Sequence, residues 1–208
     1  VLMEKEGGKP SSFLLCSLNG KGGWETIFLF ALRKGKERKG KEMQKLNFYT
    51  VSLDYVSYLK KEEESRRGFS RVPNMDYGDK RKPKFLCGIV LQVNGMDYYV
   101  PVSSYKQKKP DNFLIEDRNG RILASLRFNY MFPIPKGLAI ERIISKEPDL
   151  AYRALLSQEL RFCIKNQEQI QKLAARTYRR VILGKDPGLV KNSCDFVFLE
   201  EASKKWTI

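Results

Sequence analysis

Histidine is absent from this 208-residue chain. That removes the side chain most often used as a general base near neutral pH, and the commonest metal ligand with it. Ser-His-Asp and Cys-His arrangements are thereby excluded. The four cysteines, Cys16, Cys87, Cys163 and Cys194, form no Cys-x-x-Cys pair, and no zinc site can be completed without histidine. Reduced core thiols are the expectation for them. No phosphate-binding glycine loop and no Gly-x-Gly-x-x-Gly is present. The acids are scattered, with Glu62 to Glu64 as the one run, and form no motif for a pair of divalent ions. No metal or other cofactor is therefore expected. Nor is there an apolar run near the roughly 20 residues that span a bilayer. The nearest candidate, Ile27 to Leu32, ends at Arg33 and Lys34, and no small-residue cleavage site suggests a secretory signal. A cytoplasmic protein is expected.

Positive charge is what the chain has in excess. Thirty-nine Lys and Arg face 24 Asp and Glu, a formal net charge of +15. A field of that size attracts polyanions, nucleic acid before acidic membrane or acidic protein. With 42% hydrophobic and 12% aromatic residues, the chain has the composition of a folded domain.

Residues 1–42 look foreign to the rest. They mix Gly-Gly and Gly-Lys-Gly-Gly with the basic run from Arg33 to Lys41, and no helical or strand period persists. An upstream start or a mobile arm fits them better than a second domain, and residues 43–208 are expected to form one domain. Nine basic and five acidic residues in the extension account for +4, leaving +11 on that domain.

From Leu46 a strand-like segment runs into Ser52, a good N-cap for a helix from Leu53 to about Glu64. Tyr55 and Leu59 form its apolar stripe, and Lys60 to Glu63 belong to a charged far side. A basic, proline-containing loop follows over 66–82. Next come two runs, Phe85 to Val93 and Met96 to Val102, joined by Asn94-Gly95, a hairpin signal. Asp117 to Gly120 marks a second hairpin between the segments around 113–116 and 121–126. Residues 128–134 read as a further strand limited by Pro133 and Pro135. The last third changes period: Leu150, Ala154, Leu155, Leu160 and Ile164 recur at helical spacing, as do Ile170, Leu173, Ala174 and Tyr178. Asn166 is the expected joint, Gly184 and Pro187 the stop, and 196–199 a closing strand. Strands first and helices last predict an α+β fold, a compact antiparallel and partly closed sheet with helices packed on it.

A nuclease built from these residues would work with Lys, Arg, Tyr and Ser. RNA permits that, because its own 2′-hydroxyl can attack the adjacent phosphorus. A lysine can take the proton if neighbouring cations lower its reference pKa of about 10.4. Lys80, Arg81, Lys82 and Lys84 supply such crowding, and Ser103-Ser104 with Lys106 offer hydroxyl donors and a second cation. Taken alone, the basic run reads more readily as a solvated loop, and the serine pair as turn chemistry. Tyr77 is either an exposed aromatic or a base-stacking platform. A non-catalytic RNA-binding module, or a regulatory protein with an acidic protein partner, stays open on the residues alone.

Several stretches resemble one known family. Phe48-Tyr49-Thr50-Val51-Ser52, Tyr55 and Tyr58-Leu59-Lys60 resemble the opening strand and helix of the ToxN/AbiQ toxins of type III toxin–antitoxin systems. Lys84 to Leu91, Asn94-Gly95 and Tyr98 to Lys106 resemble their central hairpin and active-site loop. Leu126 to Pro135, with its Met-x-Pro pattern, and the ending Asn192 to Phe196 with Leu199-Glu200-Glu201 complete a likeness spanning 46–201, closest to the CptN branch.

The resemblance implies a partly barrel-like antiparallel core related to the Kid/MazF fold, and a metal-independent endoribonuclease that leaves 2′,3′-cyclic phosphate and 5′-hydroxyl ends. It implies an RNA antitoxin of pseudoknot repeats, cut by the toxin and kept as inhibitor in a closed toxin–RNA assembly, with a part in phage defence. It places the family's site lysine on Lys84, its loop on Pro101, Ser103, Ser104 and Lys106, and its loop tyrosine on Tyr77. Ser104 and Lys106 would grip the phosphate, and Lys84 would act as base or charge stabiliser. RNA contacts are expected from Lys80, Arg81, Lys82, Tyr105, Lys108 and Lys109. Family chains begin near Met43, and antitoxin repeats lie upstream of the toxin gene. Residues 1–42 are therefore expected to be translated upstream sequence.

Overall fold

The computed structural model describes residues 44–76 and 84–207. The 1–42 extension with Cys16, and Tyr77, Lys80, Arg81 and Lys82, lie outside them. The described chain is α+β, as the order of periods predicts. Seven strands, β1 (Asn47–Val51), β2 (Leu86–Val93), β3 (Met96–Ser103), β4 (Asn112–Glu116), β5 (Ile122–Arg127), β6 (Phe132–Ile134) and β7 (Ala139–Glu141), form one antiparallel sheet. Its path is β4-β5-β3-β2-β1-β7, with β6 also paired to β3. The helices are α1 (Leu53–Arg67), α2 (Leu150–Lys165), α3 (Gln167–Ile182), α4 (Pro187–Lys191) and α5 (Phe196–Lys205).

β3 is the spine. It pairs along its length with β2, at its start with β6, and at its end with β5. The β2–β3 turn has Asn94 and Gly95 both at positive φ, 52° and 77°, the backbone that a two-residue hairpin requires. Alternation along β3 sorts its side chains. Tyr98 and Val100 go to one face, where Tyr98 meets Tyr178 of α3 and Phe196 of α5 at 5.6 and 5.9 Å between ring centroids. Phe113 of β4 meets Phe162 of α2 at 6.1 Å. Glu200 of α5 accepts from Tyr98 Oη and Tyr178 Oη at 2.7 Å each, and from Asn94 Nδ2 at 2.9 Å. Sheet, turn and helices thus meet at one buried carboxylate. Cys87, Cys163 and Cys194 are free and buried; a hydrogen bond with Cys87, together with burial, holds the Cys163 thiol well above its usual range.

The opposite face holds Tyr49, Tyr99, Pro101 and Ser103. Gly88 is required here by close approach: a Cβ on it would stand 2.1 Å from Tyr99 Cδ1.

Five expectations need correction. Residues 196–199 are helix, not strand: Asp195 caps α5 by accepting from Phe198 N at 3.2 Å, and Phe196, Leu199 and Ala202 turn inward at helical spacing. Residues 128–134 are not one strand. A helical turn over Phe128–Tyr130 precedes β6, and Asn129 ties it to the C-terminal region through Cys194 N and Asn192 O. α2 turns Leu156, Glu159 and Cys163 inward, whereas Leu150 and Ile164 are exposed. Apolar character alone misplaced that face, because one inward position is an acid. α1 runs three residues further than expected and ends at Gly68 with φ 74°.

The same helix holds the largest departure. Glu63, assigned to the charged far side, is fully buried. Its Oε2 accepts from Ser70 Oγ at 2.7 Å, Arg71 N at 2.6 Å and Val72 N at 3.2 Å. Its Oε1 accepts from Asp195 N at 2.7 Å and Arg67 Nη1 at 3.0 Å. Arg67 reaches on to the carbonyls of Ser193 and Val190. Removing one member of a buried ion pair leaves the other charge uncompensated, at a cost of about 3–5 kcal/mol. Glu63→Ala is expected to lower the unfolding free energy by about that amount in urea titration, while Glu64→Ala, at an exposed position, should stay within about 0.5 kcal/mol.

Candidate active site

The loop after β3 is where the sequence concentrates hydroxyls and cations, and pairing brings a further lysine to it. In the β2–β3 ladder Leu86 stands opposite Pro101, and Val102 N donates to Phe85 O at 3.2 Å. Lys84 directly precedes Phe85, and Ser103 directly follows Val102, so that bond brings both to the same end of the sheet. On the other side of β3, Ser103 pairs with Ser125 of β5. Residues opposite one another in a ladder share a face. Ser103 and Ser125 therefore line up across two strands, on the face away from α2 and α3, with Lys84 at the same end of the sheet.

Each has a definite setting. Ser103 Oγ accepts from Tyr105 N at 3.2 Å, which leaves its O–H to donate elsewhere. Ser104 and Lys106 are exposed, and neither side chain has a protein partner among the described residues. Lys84 is half-buried and its Nζ donates to Asn74 O. Burial lowers its pKa to about 8, with Lys60 of α1 as a second, cationic cause. The basic run at 80–82, expected to supply that crowding, lies outside the described residues. Tyr99, on the same face, is pushed up by burial to about 12, so it keeps its proton near neutral pH.

The loop itself is fastened from below. Ser125, fully buried, donates from Oγ to Tyr105 O at 2.5 Å. Asn112, also buried, donates from Nδ2 to Gln107 O at 2.8 Å, and its Oδ1 accepts from Lys109 N at 2.9 Å. Residues 104–111 thus hold their shape without a regular element. Tyr105 packs beneath the guanidinium of Arg127 at 5.0 Å and bonds Gln107 Oε1 through its hydroxyl. Lys108 lies 5.9 Å over the Phe113 ring, and the Lys109 side chain is exposed. Of the expected site residues, Lys84, Ser103, Ser104, Tyr105, Lys106, Lys108 and Lys109 gather at this end of the sheet. Tyr77 and the basic run lie outside the described residues. Lys60, Asn74, Asn112, Ser125 and Arg127 were not anticipated. Their positions depend on strand register and on where the 69–76 segment runs, and no local pattern reports either.

Among the described residues no helix is long and apolar enough to cross a membrane, and no group of three acids or cysteines is placed to hold a metal ion. Residues 47–204 match the family described as Toxin ToxN, type III toxin-antitoxin system. The chain is 28% identical over 169 residues to the endoribonuclease ToxN of Pectobacterium atrosepticum, covering 75% of this chain and 91% of that one. It is 27% identical to the endoribonuclease AbiQ of Lactococcus lactis subsp. lactis, covering 74% and 86%. The fold superposes with a TM-score of 0.68 on a solved structure from a bacterial antiviral system regulated by a processed non-coding RNA (25% identity, 78% of this chain and 99% of that one). AbiQ, solved as a lactococcal anti-phage endoribonuclease, gives 0.65 at 22% identity, covering 77% and 97%.

The electrostatics of Lys84 can be checked directly. Its amine should titrate near 8 in a carbon NMR experiment on labelled lysine. Lys60→Met removes a like charge, so the titration should move upward. A midpoint near the reference of about 10.4 would show that neither burial nor Lys60 acts on it.

Proposed function

The chain belongs to the ToxN family of type III toxin–antitoxin toxins and is an endoribonuclease, and we propose that it cuts RNA at the end of β3 without a metal, using the 2′-hydroxyl as nucleophile. Residues 43–208 are the toxin domain, acting in the cytoplasm. The observation that carries this reading is the Val102–Phe85 hydrogen bond, which brings Lys84, with its amine lowered to about 8, to the same end of the sheet as Ser103 and the Ser104–Lys106 loop.

Lys84, unprotonated in a sizeable fraction near neutral pH, takes the 2′-hydroxyl proton. The 2′-oxygen bonds to phosphorus and the bond to the 5′-oxygen breaks. That oxygen leaves with a proton, giving 2′,3′-cyclic phosphate and 5′-hydroxyl ends, and no water is consumed. The free O–H of Ser103, the Ser104 hydroxyl and the Lys106 ammonium face the non-bridging oxygens, where negative charge collects. Lys84 is assigned the base and Lys106 the charge-stabilising work. Tyr77 is assigned to the site on the likeness of its loop alone. RNA beyond the cut is held by Lys80, Arg81, Lys82, Tyr105, Lys108 and Lys109.

A relative of this fold is selectively inhibited by a non-coding RNA pseudoknot, and others belong to antiviral and anti-phage systems. We assign this chain the same kind of partner, an RNA pseudoknot antitoxin in a closed toxin–RNA assembly, and a role in phage defence. The +15 net charge suits such a partner.

Purified protein freed of nucleic acid should cut a mixed RNA in EDTA and leave cyclic-phosphate ends. Lys84→Ala should lose about 10²- to 10⁴-fold in rate, the usual worth of a general base, and Ser104→Ala should also fall well below wild type. Because the base must be unprotonated, kcat/KM should rise with pH and level off above about 8. RNA left intact but bound in a salt-sensitive manner would replace this reading with a non-catalytic RNA-binding module.

A further inference from the structure

Arg127 ends β5 two residues beyond Ser125, so it shares the face of Ser103. Its guanidinium carbon lies 4.3 Å over the Tyr130 ring and 5.0 Å over the Tyr105 ring. Two aromatic rings thus fix a long, otherwise mobile cation in one place. Yet among the described residues no carbonyl, carboxylate or hydroxyl accepts from its N–H groups, and no acid pairs with it. Three other arginines are answered within the protein. Arg67 has a carboxylate and two carbonyls, Arg142 pairs with Glu147 at 2.7 Å, and Arg180 pairs with Asp186 at 2.6 Å. Arg127 is half-buried, held in place, and left with its donors unused beside the Ser103–Ser104 loop.

A cation–π clamp that only fastened the loop would explain the two rings but not the site. Tyr105 is already tied through its carbonyl to Ser125 and through its hydroxyl to Gln107. A guanidinium whose donors are free and whose position is fixed matches a phosphate, which it can grip with two parallel hydrogen bonds. By the register, Arg127 stands diagonal to Ser103, one neighbour along rather than beside it. That is the place for a phosphate next to the one that reacts.

Resting on the ribonuclease reading above, we infer that Arg127 is an RNA-binding residue that takes the backbone phosphate adjoining the scissile one.

The test uses the full chain and a short single-stranded RNA with one mapped cut. For Arg127→Gln, KM should rise about tenfold with kcat changed less than about threefold. The plot of log kcat/KM against log salt should become shallower by about 0.7, one phosphate contact on a single strand. Arg127→Lys should keep the salt slope and recover only part of KM, since an ammonium lacks the planar fork. Arg118→Gln, on the exposed β4–β5 turn, is the control and should leave the slope unchanged. A second measurement needs no altered protein. A neutral methylphosphonate on a 2′-deoxy sugar, placed on either side of the cut, should slow the wild type by a similar factor on one side. With Arg127→Gln that loss should vanish, because the pair is already broken. Equal KM and slope in Arg127→Gln, or no penalty from either methylphosphonate, would overturn the inference. So would a changed base preference with an unchanged slope, which would make Arg127 a reader of bases. Failure of the wild type to cut the unmodified RNA would instead defeat the ribonuclease reading itself.

Discussion

A single buried carboxylate organises the approach to the candidate site. Glu63 sits at the end of α1, where a surface helix would ordinarily present it to water, and five donors converge on it instead. Three come from the segment just after the helix, so the chain is turned back sharply at residues 70–72. One comes from the start of α5, which ties the C-terminal region to the same point. The segment so anchored continues to Asn74, whose carbonyl receives the Lys84 amine. A charge buried in this way is tolerable only because each lone pair is used. The geometry around Lys84 is thus inherited from an acid three turns of chain away.

The sheet divides its two faces by chemistry. On one, Phe113, Tyr98 and Val100 pack against three helices, and Glu200 collects the hydroxyls that burial there would otherwise strand. On the other, Tyr49, Tyr99, Ser103, Ser125 and Arg127 make a polar strip, with Lys84 at its end. Tyr49 and Tyr99 meet edge to face at 5.2 Å, with Gly88 leaving room for the second ring. Partial burial on that strip separates two lysines that are alike in sequence. Lys84, drawn in beside Lys60, loses its proton more readily, while Lys106 stays in water on the loop.

Much of the architecture was legible. Asn94-Gly95 between two β-rich runs, Ser52 before an apolar stripe, and the helical spacing from Leu150 to Ile164 are local signals with local causes, and the hairpin, α1 and α2 follow from them. The misreadings share a cause as well. Phe196 to Leu199 has strand-forming composition, but Asp195 caps it as a helix. Glu63 has a surface residue's composition and a core residue's position. In α2, Glu159 takes an inward place that a count of apolar side chains awards to others. For Phe196 to Leu199 a single cap outweighed composition, and for Glu63 a contact distant in sequence did, as weak propensities allow.

The same division runs through the site. Absence of histidine, a large positive charge and the Ser103-Ser104-x-Lys106 pattern follow from the sequence by itself. They define which chemistry is available and which polymer is attracted. Likeness to the ToxN family over 46–201 was also legible, since residue order survives where geometry is unseen. Tertiary structure alone decided that Lys84 comes to the Ser103 end of the sheet, that Lys60 acts on it, and that Arg127 rests between Tyr105 and Tyr130. Those placements depend on strand register and on burial. Both are sums over many distant contacts, so no stretch of chain encodes them locally.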